Sequence, residues 1–217
     1  MSQFRIENQI AIYMTNKKLV EFNDKLKVAP VEYYGHIHAQ GEKLGDGNRS
    51  RSCIGMVLQD YSKGTGAQTV RVMANLSPEF FSYALSRIEM GVETFEFNEE
   101  KIFGEPDENG RSYVTKVSIK RASVDKEGRV RNYPWCVIVE NGRGIKESTQ
   151  TGGIHMKKGS YVKGNMVFVN ISDYDFFCLM LKTCRYIKAW ELTNGPRLIR
   201  DAKQIIAQQQ QAAQATG

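Results

Sequence analysis

Two stretches of the chain, 72–81 and 167–177, follow one pattern, and this internal repeat constrains the fold more than any other feature. Valine, asparagine and serine recur at matching places (Val72 and Val167, Asn75 and Asn170, Ser77 and Ser172), each pair 95 positions apart. The paired phenylalanines, Phe80-Phe81 and Phe176-Phe177, follow after one inserted residue in the second copy. Each copy passes from β-type residues into a helical pattern. Ser77 and Ser172 are good helix N-caps, because a hydroxyl can accept from the unpaired N–H groups of a first turn. Pro78 suits the first helical position, where no N–H is missed. Glu79, Asp173 and Asp175 place negative charge at the positive end of the helix dipole. Downstream, Phe81, Leu85 and Ile88 recur at helical spacing, as do Phe177, Met180, Leu181, Cys184 and Ile187.

Upstream of each helix the sequence predicts strands, at 4–14, 32–42, 51–60 and 69–75 in the first half and at 92–103, 113–121, 129–140 and 161–170 in the second. Turn residues separate them, such as Gly45-Asp46-Gly47, Asp107 to Gly110, Asp125 to Gly128 and the glycine-rich 142–159 stretch. Residues 17–27 suggest one more short helix. Asn194-Gly195-Pro196 predicts the end of the second helix, with a further helix over 197–208 and a Gln- and Ala-rich tail over 207–217. The expected fold class is therefore α+β: two pseudo-repeated antiparallel sheet-plus-helix units, at 1–90 and 91–192, with an extra C-terminal helix and tail over 193–217.

Charge is unevenly spread. Residues 111–163 hold 12 Lys and Arg against 4 Asp and Glu, whereas residues 77–110 hold 2 against 9. With a net charge of +6, a polyanion is the expected partner, and the acidic block suggests an internal or intersubunit contact. A hydrophobic fraction of 41% supports a real core. No apolar run approaches membrane-spanning length and the first thirty residues have no signal-peptide pattern, so a soluble, intracellular protein without a membrane partner is expected. Cys53, Cys136, Cys178 and Cys184 sit singly and read as buried free thiols.

The residues that could carry chemistry are basic and aromatic. Arg129, Arg131, Tyr133 and Trp135 share one parity, so on an extended strand they would face one side. Guanidinium groups there could grip phosphates and rings could stack on bases. Pro134 keeps Tyr133 extended but favours an edge or a bulge. Lys116 and Lys120 share a face opposite Val117 and Ile119. Arg49 and Arg51 share a parity, as do Lys157, Tyr161 and Lys163, with Lys158 adjacent. Phosphate contacts are thus expected from Arg49, Arg51, Lys116, Lys120, Arg129, Arg131, Lys157, Lys158 and Lys163, and stacking from Tyr133, Trp135 and Tyr161.

Enzyme signatures are poor. His36 and His38 would share a strand face, but His155 is the one remaining histidine and no acidic or cysteine cluster completes a ligand set. Gly64-Thr65-Gly66 lacks the flanks of a P-loop. No catalytic residue, metal or cofactor is expected.

The layout of four strands and a helix, twice over, resembles the Whirly family and the related positive-cofactor type of transcription coactivator. Lys163-Gly164-Asn165 locally echoes a Whirly Lys-Gly-Asn motif, and no site residue is carried over by it. The resemblance implies antiparallel sheets backed by helices, a single-stranded DNA partner bound largely without sequence preference, no enzymatic activity and a homo-oligomer. Phages and bacterial mobile elements also carry proteins of this kind, which implies a role in replication, recombination or protection of single strands. RNA is the alternative target. A protein-interaction module or inhibitor acting through the acidic 93–108 stretch is the alternative of another class, and a metal-dependent nuclease is the enzyme least at odds with the sequence.

Overall fold

The computed structural model describes residues 7–43 and 49–215. Two four-stranded antiparallel sheets account for most of the chain. The first contains β1 (Gln9–Met14), β2 (Lys18–Lys25), β5 (Cys53–Asp60) and β6 (Val70–Leu76), in that order. Between β2 and β5 the chain makes a 3-10 turn (Val31–His36) and a small hairpin of β3 (Gln40–Lys43) and β4 (Arg49–Arg51). Helix α1 (Pro78–Glu89) follows β6. The second sheet contains β7 (Thr94–Phe103), β8 (Ser112–Ala122), β9 (Trp135–Gly144) and β12 (Val162–Ile171), again in chain order. Its inserted hairpin, β10 (Lys146–Ser148) and β11 (Ile154–Met156), lies one connection later than in the first half. Helix α2 (Asp173–Ala215) follows β12. This α+β arrangement of antiparallel sheets and a long C-terminal helix is consistent with a Whirly-like fold.

Strand alternation decides what is buried. Val20 and Phe22 on β2, Ile54, Met56 and Leu58 on β5, and Val72, Ala74 and Leu76 on β6 are buried, and so are Val117 and Ile119, Val137 and Val139, and Val167 and Val169 in the second sheet. The helices cover these faces. Phe81 on α1 packs edge-on against Phe22 at 5.0 Å, and Phe176 on α2 stacks on Trp135 at 4.0 Å. The two copies of the repeat therefore do the same job: each fourth strand leads into a helix whose aromatic residues close the core of its half.

The capping chemistry is uneven. Ser172 Oγ accepts from the Asp175 N–H at 3.1 Å and donates to the Asp175 carboxylate at 2.6 Å. Ser77 makes no such bond, and α1 begins on Pro78 alone.

Several expectations are corrected. Within 17–27 the chain forms strand β2 (Lys18–Lys25), because buried Val20 and Phe22 alternate with Glu21 and Asn23 between two partner strands. The run 32–42 begins in the 3-10 turn, entered from Pro30 and left through Ile37 at φ 59°, and is strand only from Gln40. Helix α2 does not stop at Asn194-Gly195-Pro196. It runs on to Ala215, 43 residues and about 65 Å in all. Packing offsets the backbone bond lost at Pro196: the Trp190 ring stacks on His38, Gly195 lies against Ile37, and Leu198 and Ala202 are buried further on. The extra C-terminal helix is thus the far end of α2. The four cysteines are free thiols but only half-buried. The Gly45-Asp46-Gly47 turn lies outside the described residues. No described helix is long and apolar enough to cross a membrane.

Candidate nucleic-acid interface

The expected face of Arg129, Arg131, Tyr133 and Trp135 does not form. Strand β9 begins only at Trp135, and 129–134 is a loop held by backbone bonds from Arg131 to Ser123 and from Ala122 to Pro134. Pro134 has no N–H to give to a ladder, so extended pairing begins after it. Trp135 is 0% exposed: its ring lies on Phe176 and its Nε1–H donates to Asp173 Oδ1 at 2.7 Å. It is a core residue and cannot stack on a base. Arg129 is held by Asp125 at 2.6 Å and Glu127 at 2.9 Å within its own turn. Tyr133 stays 55% exposed and Arg131 is exposed.

The outward face of the second sheet carries Lys116, Ser118 and Lys120 as their parity requires. Strand register, however, sets the acidic block directly against them. Glu96 pairs across from Lys120 and Glu100 from Lys116, with ion pairs of 2.9 and 3.2 Å. The acidic stretch is thus strand β7 followed by a turn, and part of its charge is spent on its neighbour. Next to this ladder, Tyr161 lies over Gly142, where a Cβ would sit 2.7 Å from the ring. The Tyr161 hydroxyl donates to Glu140 at 2.6 Å, Lys163 binds the same carboxylate at 2.8 Å, and the Lys116 ammonium sits 3.8 Å above the Tyr161 ring. Burial would push the Glu140 carboxyl up, but Lys163 and Tyr161 outweigh it and hold it below its ordinary value. Burial, reinforced by Glu140, pushes the Tyr161 hydroxyl well up. Lys157 and Lys158 are exposed in the turn before β12, not on the strand. A shallow depression of about 400 Å³ lies in this face, lined by Asn98, Glu100, Lys116, Ser118, Ile138 and Glu140. It is mixed in charge.

A cationic grouping on the first sheet involves residues that the sequence pattern did not single out, apart from Arg51. On the outward face of the first sheet Lys25 and Lys101 meet at Asn75, and the charges of Lys25, Lys101, Lys27 and Arg51 all reach the Cys53 thiol. Burial raises the Cys53 thiol, and these four cations partly counter it. Lys25 reaches across β5 over Gly55, where a Cβ would meet its Cε at 2.8 Å, and donates to Asn75 Oδ1 at 3.0 Å. Lys101 arrives from β7 of the other sheet. It donates to the Asn75 carbonyl at 2.7 Å and also pairs with Glu99 at 2.9 Å. Arg51 donates to Gln40 O at 3.1 Å, and Arg49 to Gly41 O at 3.4 Å, further along the same hairpin.

The second sheet has a smaller counterpart around Cys136, where burial of the thiol is countered by Arg131, Lys18 and Lys120. Here Lys18 crosses from the first sheet, donating to Phe168 O at 2.9 Å with its ammonium 3.6 Å from the Phe168 ring centroid. Each half therefore lends a lysine to the other's fourth strand, and each crossing point is also where cations gather. Proximity of Asn75 and Asn170 to these two crossings is the one hint of them that the repeat contained.

The histidines serve structure. His38 is buried, stacked on Trp190 at 4.8 Å and hydrogen-bonded with Ser52 at 2.9 Å and Glu191 at 3.2 Å; His36 bonds with Glu42 at 2.8 Å. Among the described residues no group of three or more His, Cys, Asp or Glu is placed to hold a metal ion.

No family model matches the chain, and no curated protein matches it. Among solved structures the chain is similar to the plant transcriptional regulator PBF-2, at 13% identity and a TM-score of 0.43, over 88% of this chain and 87% of that one. At that level of likeness, function has to be argued from this chain's own geometry.

Proposed function

We propose that this protein binds single-stranded nucleic acid, DNA in the first instance, across the outward faces of its two sheets, largely without sequence preference and without catalysing a reaction. The supporting observation is the meeting of Lys25 and Lys101 at Asn75, at 3.0 and 2.7 Å, beside Cys53, whose thiol also feels Lys27 and Arg51. Cations gathered from β2, the segment after it, β4 and β7 build a patch suited to successive phosphates. Such contacts do not read base identity. The lesser group of Lys18, Lys120 and Arg131, near exposed Phe168, offers a second contact region.

A fluorescent oligothymidylate titrated at two salt concentrations tests this. Affinity should fall steeply with salt, because each neutralised phosphate releases counterions and contributes about −0.7 to the slope of log K against log salt for a single strand. Duplex of the same length should bind more weakly. Equal affinity for duplex and single strand, or affinity insensitive to salt, sinks the proposal. The same titration with oligouridylate decides between DNA and RNA.

A further inference from the structure

At the end of the second sheet, beside the β10–β11 hairpin, three planar groups line up across neighbouring strands. Phe103 on β7 pairs in register with Tyr113 on β8, and Tyr113 with Arg143 on β9. The Phe103 and Tyr113 rings are stacked, 6.2 Å apart with planes 21° from parallel. The Arg143 guanidinium lies 3.8 Å from the Tyr113 ring centroid. Arg143 is steadied by Asp107 at 3.5 Å and the Arg111 carbonyl at 3.4 Å. Tyr113 is thus flanked on both sides. Phe103 is not, because among the described residues β7 is the edge of its sheet and pairs on one side alone. Phe103 is 49% exposed.

The stack of guanidinium, phenol and phenyl therefore ends at the sheet edge in a half-exposed ring stacked on one side. The surroundings select what could lie there. Lys101 is two residues back along the same face of β7, about 7 Å away, and leads to the cation group around Cys53. On the other side of Phe103, Lys146 donates to the Gly104 carbonyl. An aromatic surface bracketed by lysines matches a chain of flat bases on a polyanionic backbone.

We propose that the open face of the Phe103 ring is a stacking site for one base of a bound single strand, with Lys101 and Lys146 meeting the phosphates on either side. This rests on the nucleic-acid binding proposed above. It assigns a defined path: from the β7 edge, along Lys101, to Lys25, Lys27 and Arg51.

The test uses the full chain and a set of oligothymidylates, each carrying a single 2-aminopurine at a different position. With the unaltered protein, one or two positions should show quenched emission on binding. Phe103→Leu should weaken binding about tenfold, within the range for one base–aromatic stack, and abolish that quench. Phe103→Trp should retain affinity and add an indole signal, relative to the unaltered chain, that unlabelled oligothymidylate quenches. If the unaltered chain binds no oligonucleotide at low salt, nucleic-acid binding itself fails. If it binds while Phe103→Leu binds equally well or keeps the quench, the stacking site alone is overturned. Should Phe103→Leu lose its fold, the Trp variant decides: an added emission indifferent to oligothymidylate overturns the site.

Discussion

Asn141 on β9 hydrogen-bonds both backbone groups of Met73 on β6, its Oδ1 accepting from the Met73 N–H at 2.8 Å and its Nδ2 donating to the Met73 carbonyl at 2.8 Å. Strand β6 is an edge of the first sheet, and edge strands expose unpaired donors and acceptors to other chains. One carboxamide thus imitates a neighbouring strand, and a further bond to Thr115 Oγ1 at 3.2 Å holds it in place. Replacing Asn141 by Ala should cost about 1 kcal/mol, since water can reach part of the freed edge. Urea unfolding measures that loss, and light scattering should show more self-association as the β6 edge opens. Unchanged stability would mean the bond is incidental.

Trp135 anchors the second half. Its ring is stacked between sheet and α2 and its N–H is bound by Asp173, so Trp135→Ala should destabilise the protein by about 3–5 kcal/mol. Trp135→Phe should cost less but leave Asp173 short of one donor. Any loss of oligonucleotide binding in these variants should track the unfolded fraction, which circular dichroism reports.

Asp173 also receives two bonds from Arg121, at 2.9 and 3.0 Å. Those bonds, with a further one from Trp135, hold its carboxyl below the usual aspartate value against the opposing effect of burial. A carboxyl lowered by folding stabilises the protein above its unfolded pKa, near 3.9. That stability is lost as pH falls through the lowered folded value. Thermal melts from pH 7 downward should therefore show Tm falling at acid pH, and the fall should be shallower in Asp173→Asn, which starts from a lower Tm at neutral pH. Parallel curves for the two proteins would exclude this role.

Gly55 is needed by Lys25. A Cβ there meets the flexible end of the lysine, so Gly55→Ala should leave the fold intact while displacing Lys25 from Asn75. The outcome expected under the proposed function is near-normal Tm with weaker oligothymidylate binding at low salt.

Removing Lys25, Lys27 and Arg51 together should reduce the salt slope by about 0.7 per lost phosphate contact. Removing Lys116, Lys120 and Lys163 instead should change it less, because those three are already paired with Glu100, Glu96 and Glu140. The opposite ranking would move the binding face to the second sheet.

Sequence alone determined the two-half plan. Strand alternation and the strand-to-helix junctions at Ser77 and Ser172 rest on interactions between residues close in the chain, and periodicity reports those directly. It misread 17–27 because Lys-, Leu- and Glu-containing runs suit a helix until neighbouring strands reward the Val20–Phe22 alternation. It misread Pro196 because local propensity for a break was overridden by packing on Ile37 and His38. The proposed binding surface depends on tertiary structure. Lys25, Arg51 and Lys101 are far apart in sequence and are brought near one another by the pairing within the first half and the packing of the two sheets, while register inside the second sheet sets Glu96 and Glu100 against Lys120 and Lys116. Parity placed Trp135 correctly on a face, but whether α2 or solvent covers that face is a non-local matter. Charge composition raised the expectation of a polyanion partner; which cations stay unpaired depends on which acids the fold brings beside them.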